Sequence, residues 1–117
     1  MIRARPTGRN GSIQAWAAGL EPVDGGKVRL GVHIADVGYY VKPGSALDKE
    51  AYARGTSVYL PDRVLPMLPE TISNNLASLQ PDRVRYTKTA LIEYTPEGTR
   101  VSTDFCSAAI KSSRRFT

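Results

Sequence analysis

The sequence is poor in the residues that form disulfides and zinc sites. It contains one cysteine, Cys106, and one histidine, His33, among 117 residues. A single cysteine forms no internal disulfide, and this pair cannot supply the four ligands that structural zinc typically takes. These shortages fit a reducing compartment, so we expect a cytoplasmic or organellar protein and take the cytoplasm as its location.

Long apolar runs are also missing. No stretch approaches the roughly 18 to 20 apolar residues that span a bilayer, and residues 1–19 lack the apolar core of a secretory signal. We therefore expect no membrane partner. The composition, 41% hydrophobic and 23% charged, is ordinary for a globular protein, and 117 residues form at most one domain or a piece of one.

Acidic residues are absent from both ends of the chain. The formal net charge is +5, yet residues 21–108 hold 10 basic and 11 acidic side chains, so the excess of basic residues lies in residues 1–20 and 109–117. A basic tail can bind phosphate backbones without sequence preference. A solvated segment is the commoner explanation for such a tail.

Two hairpins are predicted by the pattern of apolar residues. The segment Lys27–Ala35 alternates and gives the clearest strand, with Asp24-Gly25-Gly26 as a turn before it and Ser12–Leu20 as a partner strand. Val28, Leu30, Val32 and Ile34 should point to one face of this strand, and Arg29, Gly31, His33 and Ala35 to the other. Residues 86–94 and 99–110 flank Pro96-Glu97-Gly98 and predict a second hairpin.

Two short helices are predicted between these hairpins. Ser45 can cap a helix with Asp48 three residues later, and Gly55 should end it. Pro69 suits the first turn of a second helix that continues to Leu79.

The segment between the two helices, residues 56–69, contains three prolines and many apolar residues, so it should be a packed loop. Part of it should pack against protein outside this chain. The sequence thus predicts a mixed α and β fold with a mainly antiparallel sheet, two short helices and a proline-rich packed loop.

Composition alone indicates no complete active site. The chain has no glycine-rich phosphate loop, no convincing Ser/His/Asp set and no metal cluster. We interpret His33 as structural or solvent-facing and Cys106 as a small buried hydrophobic residue. Tyr59, on the proline-rich loop, can stack on a nucleobase, but composition favours a core tyrosine.

Seven sequence blocks carry a resemblance to a known family. They are Leu30-Gly31-Val32-His33-Ile34-Ala35-Asp36-Val37, Tyr40-Val41, Leu47-Asp48 to Ala51, Arg54-Gly55-Thr56-Ser57-Val58-Tyr59-Leu60-Pro61, Pro66-Met67-Leu68-Pro69-Glu70, Ser73-Asn74 with Leu76, and Ser78-Leu79-Gln80-Pro81. In this order and spacing, residues 21–117 resemble the catalytic domain of the ribonuclease II and ribonuclease R family, the RNB domain.

The resemblance implies processive 3′-to-5′ hydrolysis of single-stranded RNA by divalent metal, expected to be Mg²⁺, held by a cluster of aspartates. An RNB catalytic domain is several times longer than this chain. The resemblance therefore implies a fragment that contributes scaffold and one wall of the RNA channel. Its implied partners are single-stranded RNA, the remainder of the catalytic domain and accessory RNA-binding domains.

The chain departs from the family pattern near its N-terminus. The aspartate cluster should fall at about Asn10–Ala17, which contains no acid, and the first acidic residue of the chain is Glu21. Mg²⁺ is a hard cation that prefers oxygen ligands such as carboxylates, and the residues at these positions cannot supply that charge. We carry over no metal ligand and no catalytic residue, and we expect the chain to be inactive by itself.

Three explanations account for this departure. A frameshifted or misassigned start would replace the family sequence before about Leu20, and this is the explanation we favour. A degenerate paralogue and a truncation are the alternatives. Accordingly, residues 1–20 are taken as a divergent segment and residues 21–117 as a partial RNB domain.

Two residues are carried over as RNA contacts. Tyr59 falls where the family places an aromatic residue that stacks on bases near the 3′ end of RNA. Arg54 can approach phosphate, although an ion pair with a nearby acid is equally plausible. Asp36 and Asn74 are interpreted as structural. The alternative function, from a different class, is a non-enzymatic RNA-binding or interaction module whose basic ends contact phosphate.

Overall fold

A computed structural model describes residues 16–113, which form a mixed α and β structure around one antiparallel sheet. The strands are β1 Trp16–Val23, β2 Lys27–Ala35, β3 Val58–Tyr59, β4 Val64–Leu65, β5 Val84–Tyr94 and β6 Arg100–Lys111. The helices are α1 Val37–Tyr40 and α2 Ala46–Arg54, with a 3-10 turn at Asp24–Gly26 and a π-helical turn at Thr71–Leu76. None of the helices in residues 16–113 is long and apolar enough to cross a membrane.

The main sheet has the strand order β1-β2-β5-β6, and all of its neighbouring strands are antiparallel. Both predicted hairpins are confirmed, β1 with β2 and β5 with β6. The predicted division of the chain after residue 20 falls inside β1. Residues 12–15, predicted to begin the first strand, lie outside the described residues.

Helix α2 is confirmed with its predicted ends. The Ser45 hydroxyl accepts a hydrogen bond of 3.2 Å from the backbone N–H of Asp48, which satisfies one of the free donors at the helix start. Gly55 follows the helix with φ of 73°, a left-handed conformation that glycine adopts without steric cost. The cap and the stop therefore specify this helix locally.

The predicted helix from Pro69 to Leu79 is wrong in its length and type. The segment is a single π-helical turn, closed by a 2.8 Å hydrogen bond from the Ala77 N–H to the Ile72 carbonyl. Arg85 donates to the Ser78 carbonyl at 3.1 Å, so a side chain from the sheet satisfies backbone that a longer helix would have paired internally. The wider turn leaves Leu79 buried and Leu76 exposed.

The core lies on one face of the main sheet. We call this the covered face, and its buried strand residues are Ala17, His33, Ala35, Thr87, Thr89 and Ile110. The covering elements contribute Ile72, Ala77 and Leu79, with Leu47 and Leu68 packed beside them. The fold thus places α2 and the π-helical turn over this face.

The opposite face carries the apolar residues of the strands. We call it the apolar face, and its members are Trp16, Ala18, Leu20, Val28, Leu30, Val32, Ile34, Ala90, Ile92 and Phe105. Several of these side chains are exposed, with Leu20 at 63% and Phe105 at 81%. Residues 16–113 therefore leave this face open to solvent.

The proline-rich loop is packed in part. Leu68 packs against the core and Met67 is half-buried, whereas Val64 and Leu65 are exposed. Cys106, predicted to be buried, is exposed on the edge strand β6.

Candidate functional site

The strongest candidate site is a short hairpin formed by β3 and β4. Tyr59 pairs with Val64, and the Leu60 N–H donates to the Arg63 carbonyl at 2.8 Å across the Pro61-Asp62 turn. The prolines stiffen this backbone because a proline ring fixes φ. Such a rigid loop holds side chains at defined positions.

Tyr59 lies on this hairpin with 66% of its surface exposed. Its side chain is therefore largely open to solvent. In this structure the composition-based alternative, a core tyrosine, does not apply. An exposed ring on a stiff hairpin has a free π-face for a nucleobase. Its role in binding RNA stays a prediction.

Arg54 lies at the base of the hairpin and has structural partners. Its Nε donates to Glu50 Oε1 at 2.8 Å within α2, and its Nη1 donates to the Pro66 carbonyl at 3.4 Å. A second tie joins the two sides of the loop, because the Met67 N–H donates to the Ser57 hydroxyl at 3.0 Å. Arg54 therefore anchors the loop that carries Tyr59. A phosphate could bind the Arg54 guanidinium only in competition with Glu50.

The acidic residues do not assemble a metal site within residues 16–113. No group of three or more histidine, cysteine, aspartate or glutamate side chains there could hold a metal ion. Glu21 and Glu93 lie on the covered face, and both are ion-paired to Arg29, at 2.9 Å and 2.7 Å. These carboxylates raise the pKa of the Arg29 guanidinium by hydrogen bonding. Carboxylates already held by arginine do not fit a Mg²⁺ cluster.

A buried polar chain on the covered face was missed by the sequence analysis. His33 Nδ1 and Thr89 Oγ1 are 2.9 Å apart, Thr89 Oγ1 and Thr87 Oγ1 are 2.9 Å apart, and Thr87 donates to the Ala108 carbonyl at 3.4 Å. Because the Thr87 hydroxyl donates its hydrogen to the Ala108 carbonyl, it accepts from Thr89. Thr89 in turn accepts from the Nδ1–H of His33. No local motif signals this chain, because it joins two strands that are distant in sequence.

The other ring nitrogen of His33, Nε2, is buried and lacks a hydrogen-bond partner within the described residues. It borders a cavity of about 60 Å³ that Gly19, Gly31 and Arg29 also line. Burial lowers the pKa of His33, because the charged imidazolium would lose its hydration. The histidine is therefore structural, one of the two alternatives that the sequence left open.

An open groove of about 760 Å³ lies where the sheet meets α1. The rings of Tyr39 and Tyr86 are 4.5 Å apart in this groove, and Lys42 Nζ is 5.2 Å from the centre of the Tyr39 ring. Lys88 Nζ is 3.3 Å from Asp36 Oδ2, so this aspartate has an ion-pair partner. Its side chain makes no capping hydrogen bond to α1, the turn that it was predicted to fix. Only the aromatic and basic composition of this stretch could have indicated the groove.

Comparison with known proteins identifies the family. The sequence profile of the RNB domain matches residues 15–117. Ribonuclease R 1 of Lactococcus lactis is 50% identical over 95 residues, which cover 81% of this chain and 12% of that protein. This sequence is thus similar to a ribonuclease over most of its own length.

Solved structures agree with this assignment. Mycoplasma genitalium RNase R in complex with double-stranded RNA matches with a TM-score of 0.87 and 35% identity, covering 97% of this chain and 20% of that chain. The same enzyme in complex with ribose methylated single-stranded RNA matches with a TM-score of 0.86, 35% identity, and coverage of 97% and 17%.

These matches define a ribonuclease-type scaffold, and the chain belongs to the RNB domain family. Exoribonucleases of this family are metal-dependent. The chain spans 12% of the length of the Lactococcus relative. The family and fold predicted from the seven sequence blocks are confirmed.

Proposed function

We propose that this chain is part of a 3′-to-5′ exoribonuclease that acts on single-stranded RNA in the cytoplasm. The observation that carries the proposal is the 50% identity to Ribonuclease R 1, together with the exposed Tyr59 on an anchored hairpin. The M. genitalium relative binds RNA in its solved complexes, which supports RNA as the ligand here.

The hairpin would form one wall of the RNA channel. Tyr59 would stack on a base near the 3′ end, a contact worth about 1–3 kcal/mol. Arg54 would position this ring by holding Pro66, and a direct phosphate contact by Arg54 would require its release from Glu50. The main sheet would provide scaffold rather than reacting groups.

The chain would be inactive without carboxylates supplied from elsewhere. In the RNB family, hydrolysis would use Mg²⁺ held by aspartates, and residues 1–20 contain no acid. The remaining catalytic domain and accessory RNA-binding domains would be its partners. The divergent segment, predicted as residues 1–20, would end before residue 15, because the RNB profile matches residues 15–117.

A chimera tests this proposal. Residues 21–117 replace the corresponding segment of L. lactis Ribonuclease R 1, so that the relative keeps its own preceding sequence. We expect the chimera with Mg²⁺ to shorten a labelled single-stranded oligoribonucleotide from its 3′ end, and the 117-residue chain alone to release no nucleotides. Metal-dependent shortening by the chain alone would contradict the expected inactivity.

Substitutions of Tyr59 in the chimera test the stacking role. Tyr59→Ala should weaken RNA binding by about 5- to 150-fold, which corresponds to the loss of one stacked base. Tyr59→Phe should be nearly neutral because stacking uses the ring. Tyr52→Ala is the matched control, since Tyr52 is 89% exposed on α2. A Tyr59→Ala chimera with a lowered melting temperature and unchanged RNA affinity would refute the stacking role.

A further inference from the structure

The apolar face is organised in rows that cross all four strands. The cross-strand partners are Trp16, Ile34, Lys88 and Ser107 in one row, Ala18, Val32, Ala90 and Phe105 in the next, Leu20, Leu30, Ile92 and Thr103 in the third, and Pro22, Val28, Tyr94 and Arg100 in the last. Directly opposed residues in antiparallel strands point to the same side of the sheet. The two central rows therefore form one continuous apolar surface.

This surface is exposed to solvent and is not flat. A depression of about 390 Å³ lies on it, between Val32, Ala90 and the exposed Phe105 ring. A contiguous exposed apolar patch of this kind is typical of a protein interaction site. An apolar side chain from a partner would fill the depression.

Charge restricts what can cover the apolar face. All acidic residues of the four described strands, Glu21, Glu93 and Asp104, belong to the opposite side of the sheet, while Lys88 and Arg100 lie at the edges of the apolar face. A second copy of the chain would bring these cations close to one another, and of the two only Lys88 has a carboxylate beside it, that of Asp36 at 3.3 Å. The charge pattern therefore favours a partner with an apolar centre and acidic groups at its rim.

Single-stranded RNA fits this face less well than polypeptide does. The centre of the face is aliphatic, with Leu30, Val32 and Ile92, and these side chains offer no donor to phosphate. The cation nearest the depression, Lys88, is already 3.3 Å from Asp36 and donates to Ser107 at 2.8 Å. Few charges remain for the backbone contacts that dominate nucleic-acid affinity.

We infer that the apolar face docks the part of an RNB-domain polypeptide that lies outside residues 15–117. The matched stretch makes up 12% of the Lactococcus relative and 20% of the chain in one solved Mycoplasma structure, so most of each polypeptide lies outside it. An apolar sheet face in such a protein is normally buried against another layer. This inference rests on family membership and not on RNA hydrolysis.

The test compares one substitution in two settings, the 117-residue chain and the chimera. Phe105→Asp should leave the melting temperature of the chain unchanged or raise it, because the ring is exposed there. In the chimera the same change should lower the melting temperature by more than about 5 °C, because a charge would enter a buried interface. Phe105→Thr, which keeps the strand, should give a smaller drop in the chimera only.

Tyr52→Asp is the control for both settings, since it changes an exposed aromatic residue away from the sheet and should be neutral in each. Equal effects of Phe105→Asp in the chain and the chimera would overturn the inference. The inference would also fail if the 117-residue chain formed a dimer that Phe105→Asp dissociates while the chimera is unaffected. It would fail as well if Phe105→Thr weakened RNA binding by the chimera at an unchanged melting temperature. These readouts differ from the RNA affinity that tests Tyr59.

Discussion

The covered face of the sheet is lined mostly by small and polar side chains, with Ile110 as a larger apolar residue, whereas the apolar face carries aliphatic and aromatic residues and contacts solvent. On the covered face, His33, Thr87 and Thr89 are buried and joined by hydrogen bonds. On the apolar face, Leu20 and Phe105 have nothing over them within residues 16–113. The difference shows that the covering elements, and not the polarity of the strand residues, decide which side of this sheet is buried.

The largest expected effect is on the covered side. Leu79→Ala should lower the free energy of unfolding by about 2–5 kcal/mol, because Leu79 is 1% exposed and its removal leaves a cavity. Urea unfolding followed by circular dichroism measures the change. A loss below about 0.5 kcal/mol would mean that the covering elements are not packed on the sheet.

A second effect comes from the close approach of Gly31 to His33. A Cβ at position 31 would lie 2.8 Å from His33 Nε2. Gly31→Ala should therefore cost about 1–3 kcal/mol through overpacking. The double variant with His33→Ala should recover part of this loss, and additive losses in the same urea titration would refute the proposed clash.

The pH dependence should report the buried histidine. Burial lowers the pKa of His33 in the folded state from its ordinary value of 6.5. Below about pH 6.5 the unfolded chain therefore binds more protons than the folded chain, and stability falls as pH decreases; above that value the contribution is fully present. Urea midpoints at pH 7.5 and 5.5 measure the change.

His33→Gln is the control, because it carries no titrating group. It should have a smaller drop between the two pH values than the unsubstituted chain. An identical drop in both proteins would assign the pH dependence to other residues.

The smallest effect should come from the apolar face. Leu20→Thr should change the stability of the 117-residue chain by no more than about 0.5 kcal/mol, because the leucine is already exposed. Urea unfolding of the two proteins in parallel provides the measurement. A cost comparable to that of Leu79→Ala would remove the distinction between the two faces.

Much of this architecture could be predicted from local signals. The alternation in Lys27–Ala35, the Ser45 cap and the Gly55 stop each act within a few residues, and each is confirmed. The alternation separates two sets of side chains but carries no information on which set is covered, because the covering residues lie elsewhere in the chain, in residues 40–47 and 68–79. The predicted helix from Pro69 to Leu79 is only a π-helical turn at Thr71–Leu76, and the backbone after it is hydrogen-bonded by Arg85, which lies on β5 beyond the predicted end of the helix.

The candidate site was predictable only through resemblance. The sequence blocks indicated Tyr59, whereas composition favoured a core position for it. Its exposure depends on the pairing of β3 with β4, which no periodicity signals over two-residue strands. The partners of Arg54 were partly predictable, since Glu50 lies one helical turn away. Its contact with Pro66 depends on the loop closing back on α2.

The strand order has a consequence for folding kinetics. Each hairpin of the main sheet joins neighbours in sequence and can form early, but β2 meets β5 only after residues 36–83 are closed into a loop. Loop-closure entropy grows slowly with length, so that doubling this segment would add only about 0.6 kcal/mol. Because β2 and β5 are far apart in sequence, joining the two hairpins should limit the folding rate. The segment between the hairpins can nevertheless lengthen at little thermodynamic cost.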